Sequence, residues 1–175
     1  MNLKIMKFKN VNSTNDIAIK LIQKGKLFSG LVVSKKQKKG RGTMGKKWIS
    51  IKGNLFLSIF FKINKKMNLK KITKLNLNII NKIINEYSLI KTSIKQPNDI
   101  LINGQKVCGI LQEMIFNKNQ KYIVIGIGIN LINSPFIRNY PTTFLNKYSK
   151  KNVYKITLAI KIKNEFEKQY YKFIN

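Results

Sequence analysis

Residues 38–48 read Lys-Lys-Gly-Arg-Gly-Thr-Met-Gly-Lys-Lys-Trp, and the segments on either side decide what fold can carry them. Three glycines within six residues allow positive φ and close approach of backbone to a ligand. Successive N–H groups in such a loop can form a concavity for an anion. Arg41 offers a planar fork for carboxylate or phosphate, Lys46 and Lys47 add charge, and Trp48 presents a flat face to a ring. Before the loop, residues 30–34 (Gly-Leu-Val-Val-Ser) have the pattern of a short buried strand, with Gln37 at the loop entrance. After it, residues 54–61 (Asn-Leu-Phe-Leu-Ser-Ile-Phe-Phe) form a second apolar strand. P-loop and dinucleotide-binding folds place a helix after their glycine loop, so a strand–loop–strand order argues against both. What remains is either a basic surface loop or a sheet-borne site for a phosphorylated, ring-bearing small molecule.

The rest of the chain supplies the elements around that loop. Leu3, Ile5, Met6 and Phe8 alternate loosely as a first strand. Asn12-Ser13-Thr14-Asn15-Asp16 precedes the helical spacing Ile17, Ala18, Leu21, Ile22 and a stop at Gly25; Ser13 with Asp16 has the form of a capping box. The same hydroxyls and amides can bind a polar ligand. Asn68 is placed to cap a long helix carrying Leu69, Ile72, Leu75, Ile79, Ile80, Ile83 and Ile84 and ending near Tyr87. In Lys95-Gln96-Pro97-Asn98-Asp99, the proline cannot donate to a ladder, and Asp99 beside Lys95 reads as either a turn residue or a charged site pair. Asn103-Gly104 signals a type I′ hairpin. The return strand, by simple alternation, sends Lys106 and Cys108 to one face, and Gly109 permits close approach. Gly126 and Gly128 interrupt a buried strand ending at Asn130, which indicates that something packs on that backbone. Residues 134–148 read as loop, and residues 153–173 as a final amphipathic helix. The expected fold class is α+β: one domain over residues 1–175, a mixed or antiparallel sheet with flanking helices and loops converging on one face.

Composition removes several chemistries. There is no histidine, hence no histidine general base and no Ser-His or Cys-His nucleophile system. Six carboxylates (Asp16, Glu86, Asp99, Glu113, Glu165, Glu167) argue against a carboxylate-rich metal site or a glycosidase pair. One cysteine, Cys108, suits a reducing compartment, and the absence of a transmembrane-length run or a signal-peptide pattern predicts a cytoplasmic protein with no membrane association. The net charge of +29 favours anionic partners, but it is carried by lysines spread along the chain, with Arg41 and Arg138 the only arginines. A dedicated nucleic-acid binder would cluster its basic residues and use more arginine.

Taken together, six segments resemble the catalytic domain of biotin–protein ligases. They are Ser13-Thr14-Asn15; Gln37 with Gly40-Arg41-Gly42 and Gly45-Lys46-Lys47-Trp48; Gly53-Asn54-Leu55; Lys95 with Pro97-Asn98-Asp99-Ile100; Lys106 with Gly109-Ile110-Leu111 and Glu113; and Gly126-Ile127-Gly128-Ile129-Asn130. They occur in the family's order over about residues 10 to 135. The resemblance implies the fold shared with class II aminoacyl-tRNA synthetases and a two-step reaction. Biotin's carboxylate attacks the α-phosphate of ATP to give biotinyl-5′-AMP, and a lysine of a biotin carboxyl carrier protein then displaces AMP. It implies ATP and biotin as substrates, with Mg2+ carried by ATP. It assigns Ser13, Thr14, Asn15 and Gln37 to the biotin head group, and Arg41, Gly42, Thr43, Lys106 and Gly109 along biotin and its carboxylate. Arg41, Lys46, Trp48, Lys106 and Asn130 fall to ATP, with Trp48 against adenosine and Asn130 on adenine. The reacting groups are Arg41, Lys106 and Asp99, the last to orient or deprotonate the incoming lysine.

Three departures from the family pattern qualify that expectation. Thr43 stands where an arginine that retains the intermediate is usual, Gln96 replaces the tryptophan before Pro97, and the sequence carries neither an N-terminal DNA-binding domain nor a C-terminal β-domain. The expectation is therefore a ligase without DNA binding or repressor function. The family is also compatible with a homodimer formed at sheet edges. Competing readings are a lipoate ligase or octanoyltransferase of the same fold, a basic nucleic-acid-binding module, and an inactive relative.

Overall fold

The computed structural model describes residues 2–25, 27–64 and 68–174. Seven strands form one sheet: β1 (Ile5–Val11), β2 (Ser29–Gln37), β3 (Leu55–Ile63), β4 (Thr92–Lys95), β5 (Asp99–Ile102), β6 (Gln105–Asn117) and β7 (Gln120–Ile129). Their spatial order is β1-β2-β3-β7-β6-β5-β4. β1 and β2 are parallel, joined through α1 (Thr14–Gln23), and every other pair is antiparallel. α2 (Leu69–Tyr87) and α3 (Lys155–Ile174) complete the fold. The expected α+β class with a mixed sheet holds. Among the described residues no helix is long and apolar enough to cross a membrane.

Period-two alternation along β3 and β7 builds two cores of unequal size. Leu55, Leu57, Ile59, Phe61 and Ile63 of β3, with Ile123, Ile125, Ile127 and Ile129 of β7, face α2 and α3 and form the main core. That side also buries a polar chain: Tyr170 donates to Asn76 Oδ1 at 2.6 Å, Asn76 donates to Gln112, and Gln112 donates to Thr73 Oγ1 at 2.8 Å. On the opposite face a second apolar cluster forms at one end, where Phe60, Tyr122 and Val124 meet Ala18 and Ile22 of α1. Beyond the start of α1 this face carries Ser58, Gly126, Gly128 and Gly109 with Phe56, and no helix of the described residues lies over it. The site lies there.

Asn68 caps α2 as expected, accepting from Lys70 N at 2.8 Å. The β5–β6 and β6–β7 turns each have two residues in the left-handed region, Asn103 and Gly104 (φ 48 and 72) and Lys118 and Asn119 (φ 45 and 59), as type I′ turns require. β4 is a strand the sequence pattern did not reveal, and residues 145–148 of the expected loop form a 3-10 turn. Alternation also fails at one place. Ile100 pairs with Cys108 but Leu101 pairs with Lys106, so Val107 is an extra residue in β6. This β-bulge sends both Val107 and Cys108 into the main core and re-aims Lys106 to the other face, beside Gly109. The expectation that Lys106 and Cys108 share a face is therefore wrong, because the bulge breaks the period.

Candidate active site

A cavity of about 1080 Å³ opens on the uncovered face of the sheet, between the N-terminus of α1, the 40–48 loop, the start of β5 and the segment after β7. The start of α1 supplies one end of it. Ser13 occupies the N-cap position but its side chain makes no capping hydrogen bond, so the expected capping box does not form. Instead the polar side chains of this turn bond across the sheet. Thr14 N and Thr14 Oγ1 both donate to Gln37 Oε1, at 2.8 and 3.1 Å, and Gln37 Nε2 donates to Ser50 Oγ at 3.1 Å. Asn15 Nδ2 donates to Glu113 Oε2 at 2.7 Å. Ser58 Oγ lies 2.7 Å from Thr14 Oγ1 and also reaches Asn15 Oδ1. One hydroxyl proton serves one acceptor at a time, which leaves acceptor capacity in this buried cluster, and the second N–H of the Asn15 and Gln37 amides is left to donate. Gly126 makes the packing possible: a Cβ there would collide with the Asn15 amide.

The glycine loop closes on itself as a small hairpin. Trp48 N donates to Gly40 O at 2.9 Å and Gly42 N to Lys46 O at 2.7 Å, and Met44 and Gly45 turn the tip with φ of 54 and 72. Gly40 is hemmed in, since a Cβ would stand 2.5 Å from Trp48 O. Trp48 folds back over the sheet and sits on Gly109 and Gly128, which face each other in the β6–β7 ladder. Its Nε1 is buried without a hydrogen-bond partner among the described residues. Arg41 reaches down from the same loop and grips Glu113 with both Nη atoms, at 2.8 and 2.7 Å, while Nη2 also lies 2.9 Å from Asp16. Three of its five N–H groups are thus engaged and two remain. Lys46, Lys47, Thr43 and Gly42 line the mouth with Met44, and Thr43 Oγ1 accepts from Asn98 Nδ2 at 3.5 Å.

The far wall is the charged part. Lys106 Nζ is 2.8 Å from Asp99 Oδ1, with both side chains largely buried, and Tyr140 donates its hydroxyl to Asp99 Oδ2 at 2.6 Å. The sequence suggested Lys95 as the partner of Asp99. Lys95 is instead drawn over the Tyr140 ring, its Nζ 4.4 Å from the centroid, because the bulge brings Lys106 to the carboxylate first. The Tyr140 phenol is pushed above its ordinary range, first by burial and then by the hydrogen bond and charge of Asp99. Burial likewise pushes the Cys108 thiol up and, with the bulge aiming it at the core, leaves it inert. Asn130 lines the cavity but is largely committed: its Nδ2 donates to Thr143 O at 3.1 Å and its Oδ1 accepts from Asn54, which leaves one amide N–H.

All the residues singled out in the sequence (Ser13, Thr14, Asn15, Gln37, Arg41, Gly42, Thr43, Lys46, Trp48, Asp99, Lys106, Gly109 and Asn130) line this one cavity. Ser58 was missed as a site residue although it is the lone hydroxyl in an apolar strand, and Glu113, part of the resemblance, was given no role although it holds Asn15 and Arg41. Tyr140 and Arg138 also line the cavity, from a loop whose sequence carries no periodic signal.

Comparison with known proteins gives the context. The sequence model of the biotin/lipoate A/B protein ligase family matches residues 7–130. The bifunctional ligase/repressor BirA of Bacillus subtilis (strain 168) is 38% identical over 130 residues, which cover 71% of this chain and 39% of that protein. The chain thus spans about two fifths of the length of the curated relatives it matches first. Biotin protein ligase from Aquifex aeolicus in complex with biotin and ATP superposes with a TM-score of 0.81 at 25% identity, over 97% of this chain and 71% of that one. Biotin protein ligase from Leishmania major in complex with biotinyl-5-AMP shares the fold at 24% identity, with a TM-score of 0.81 over 98% of this chain and 76% of that one.

Proposed function

The chain belongs to the biotin/lipoate A/B protein ligase family, and we propose that it activates biotin with ATP as biotinyl-5′-AMP and passes the biotinyl group to a lysine of a biotin carboxyl carrier protein. The observation that carries this reading is the polarity of the cavity along its length. A neutral cluster of hydroxyls and amides stands at one end and a lysine at the other, and between them the Trp48 indole lies over Gly109 and Gly128. Biotin has the matching order: a ureido ring that both donates and accepts, an apolar chain, and a carboxylate. Ser13, Thr14, Asn15 and Gln37 take the ring, and Lys106 meets the carboxylate.

In the first step a biotin carboxylate oxygen attacks the α-phosphorus and pyrophosphate leaves. The nucleophile is already an anion, so no general base is required, and the lack of histidine is no obstacle. The step needs charge at the phosphate, which Lys106 supplies from β6 while Arg41 offers its two remaining N–H groups and Lys46 stands at the mouth. Adenosine stacks against Trp48, and the spare N–H of Asn130 serves adenine. Magnesium enters with ATP. Asp16, Glu113 and Asp99 are each already paired with a cation, and the described residues contain no group of three or more acids or cysteines that could hold a metal. Thr43 leaves the loop without a second cation at that position, so the adenylate escapes more readily than from a relative with arginine there.

In the second step the carrier lysine attacks the acyl carbon and AMP leaves, with Asp99 as the group that orients or deprotonates the amine. A cytoplasmic setting, a carrier partner and a homodimer through a sheet edge belong to the same reading, which treats residues 1–175 as one catalytic domain. The test is ATP–pyrophosphate exchange with biotin, and with lipoate and octanoate as controls. Biotin-dependent exchange that falls about a hundredfold or more in Lys106→Ala is the expected result. Exchange with lipoate alone would move the chain to the other branch of its family, and no exchange with any acid would sink the adenylation reading.

A further inference from the structure

The ligase reading gives roles to Asp99 and Lys106 but none to Tyr140, although Tyr140 makes the shorter contact to the same carboxylate. Its hydroxyl donates to Asp99 Oδ2 at 2.6 Å, while Lys106 Nζ stands 2.8 Å from Oδ1. The placement of Tyr140 is set by backbone. Tyr140 N donates to Ile137 O at 3.1 Å across a turn in which Asn139 has φ of 62, a conformation asparagine tolerates. The next residues lie against Lys106 itself: Lys106 N donates to Pro141 O and Thr143 N donates to Lys106 O, both at 2.9 Å. The ring is further held by two ammonium groups over its face, Lys95 at 4.4 Å and Lys106 at 5.5 Å from the centroid. Burial and Asp99 raise the phenol above its ordinary range, so it stays a donor.

Resting on that ligase reading, we infer that Tyr140 is a positioning residue for the transfer step: it anchors Asp99 through Oδ2, so that Oδ1 faces the acceptor amine when Lys106 turns toward the phosphate. Without the phenol, a carboxylate that shares its other oxygen with a mobile ammonium would follow it. With the phenol, Oδ1 receives one proton from the acceptor ammonium. The nitrogen lone pair then forms the C–N bond, the acyl C–O bond breaks with its electrons going to AMP, and the second proton lost by nitrogen leaves with AMP.

The experiment uses Tyr140→Phe, which keeps the ring and its two cation contacts and removes only the hydroxyl. Thermal unfolding checks that it folds. Biotin-dependent exchange and single-turnover transfer from preformed biotinyl-AMP to a carrier are then compared, alone and in an Asp99→Asn background. Transfer should fall about tenfold further than exchange, in the rate and not in the KM for carrier, and Tyr140→Phe should add less than about twofold once Asp99 is Asn. Equal losses in both steps, or a full loss persisting in Asp99→Asn, would show that Tyr140 only pins its loop and would overturn the assignment. Intact transfer in Tyr140→Phe, with normal exchange in the wild type, sinks the assignment alone. Absence of exchange in the wild type removes the ligase reading and this assignment with it.

Discussion

Trp48 is the only tryptophan, and its indole lies on two glycines whose missing side chains form its seat. A Cβ on Gly128 would stand 2.5 Å from Cε2, 2.6 Å from Cζ2 and 2.9 Å from Nε1 of a rigid ring, so ring and methyl cannot both stay. Overpacking of this kind costs about 1–3 kcal/mol. Here the cost falls on the seating of the indole, because Gly128 lies in ordinary strand conformation. Gly128→Ala is therefore expected to fold, to shift Trp48 emission to longer wavelength as the ring is lifted into water, and to raise the KM for ATP by about tenfold. Emission unchanged from the wild type would mean that the indole does not rest on this floor in solution. At this scale the sequence was informative by type and silent on geometry. Two glycines in an apolar strand announce that something packs on the backbone, but not that the protein's own Trp48 does so. Nor does any residue type reveal that Arg41, the obvious phosphate ligand, spends most of its donors on Glu113 and Asp16.

Between elements, the sheet is held to its helices by polar contacts as well as by apolar layers. Tyr170 of α3 packs its ring on Phe61 at 4.6 Å and on Phe166 at 5.8 Å, and its hydroxyl donates to Asn76 in α2. Tyr170→Phe keeps the ring contacts and removes the donor from a buried amide, which costs about 1–3 kcal/mol. The midpoint of thermal unfolding should fall by several degrees while exchange, measured well below it, is retained. A midpoint equal to that of the wild type would show that the amide finds another donor. Strong apolar periods made β3, β7 and α2 legible, and Asn103-Gly104 did the same for the β5–β6 hairpin. β4 was not legible, because Thr92-Ser-Ile-Lys95 is four residues long with one large apolar side chain. The bulge at Val107 was invisible for a different reason: alternation is inferred by assuming that every residue counts, and here one does not. That single exception decides which face Lys106 serves, so the charged wall of the site could not be built from the pattern alone.

Over the whole molecule, the carboxylates are consumed internally. Asp16 and Glu113 are held by Arg41, Asp99 by Lys106, Glu86 by Lys161, Glu167 by Lys163, and Glu165 accepts from Gln169. With 35 basic residues against six acids, five of which are already ion-paired, little negative charge is left over to balance the lysines that face solvent. The field around the cavity mouth is therefore positive and of long range at low ionic strength, and it falls off within about 10 Å near 0.1 M salt. Such a field acts on a partner that approaches through solvent more than on an adenylate already enclosed. This separates two acceptors of the same intermediate. If the carrier docks by an acidic surface, its kcat/KM should fall about tenfold between about 50 and about 300 mM salt. Capture of biotinyl-AMP by hydroxylamine, a neutral nucleophile with nothing to steer, should change less than about twofold over the same range. An equal response of both acceptors would assign the excess charge to nucleotide binding or stability. The exposed Met44 at the mouth, and Phe136 between the lining residues Pro135 and Ile137, would then be left as apolar features able to hold a carrier.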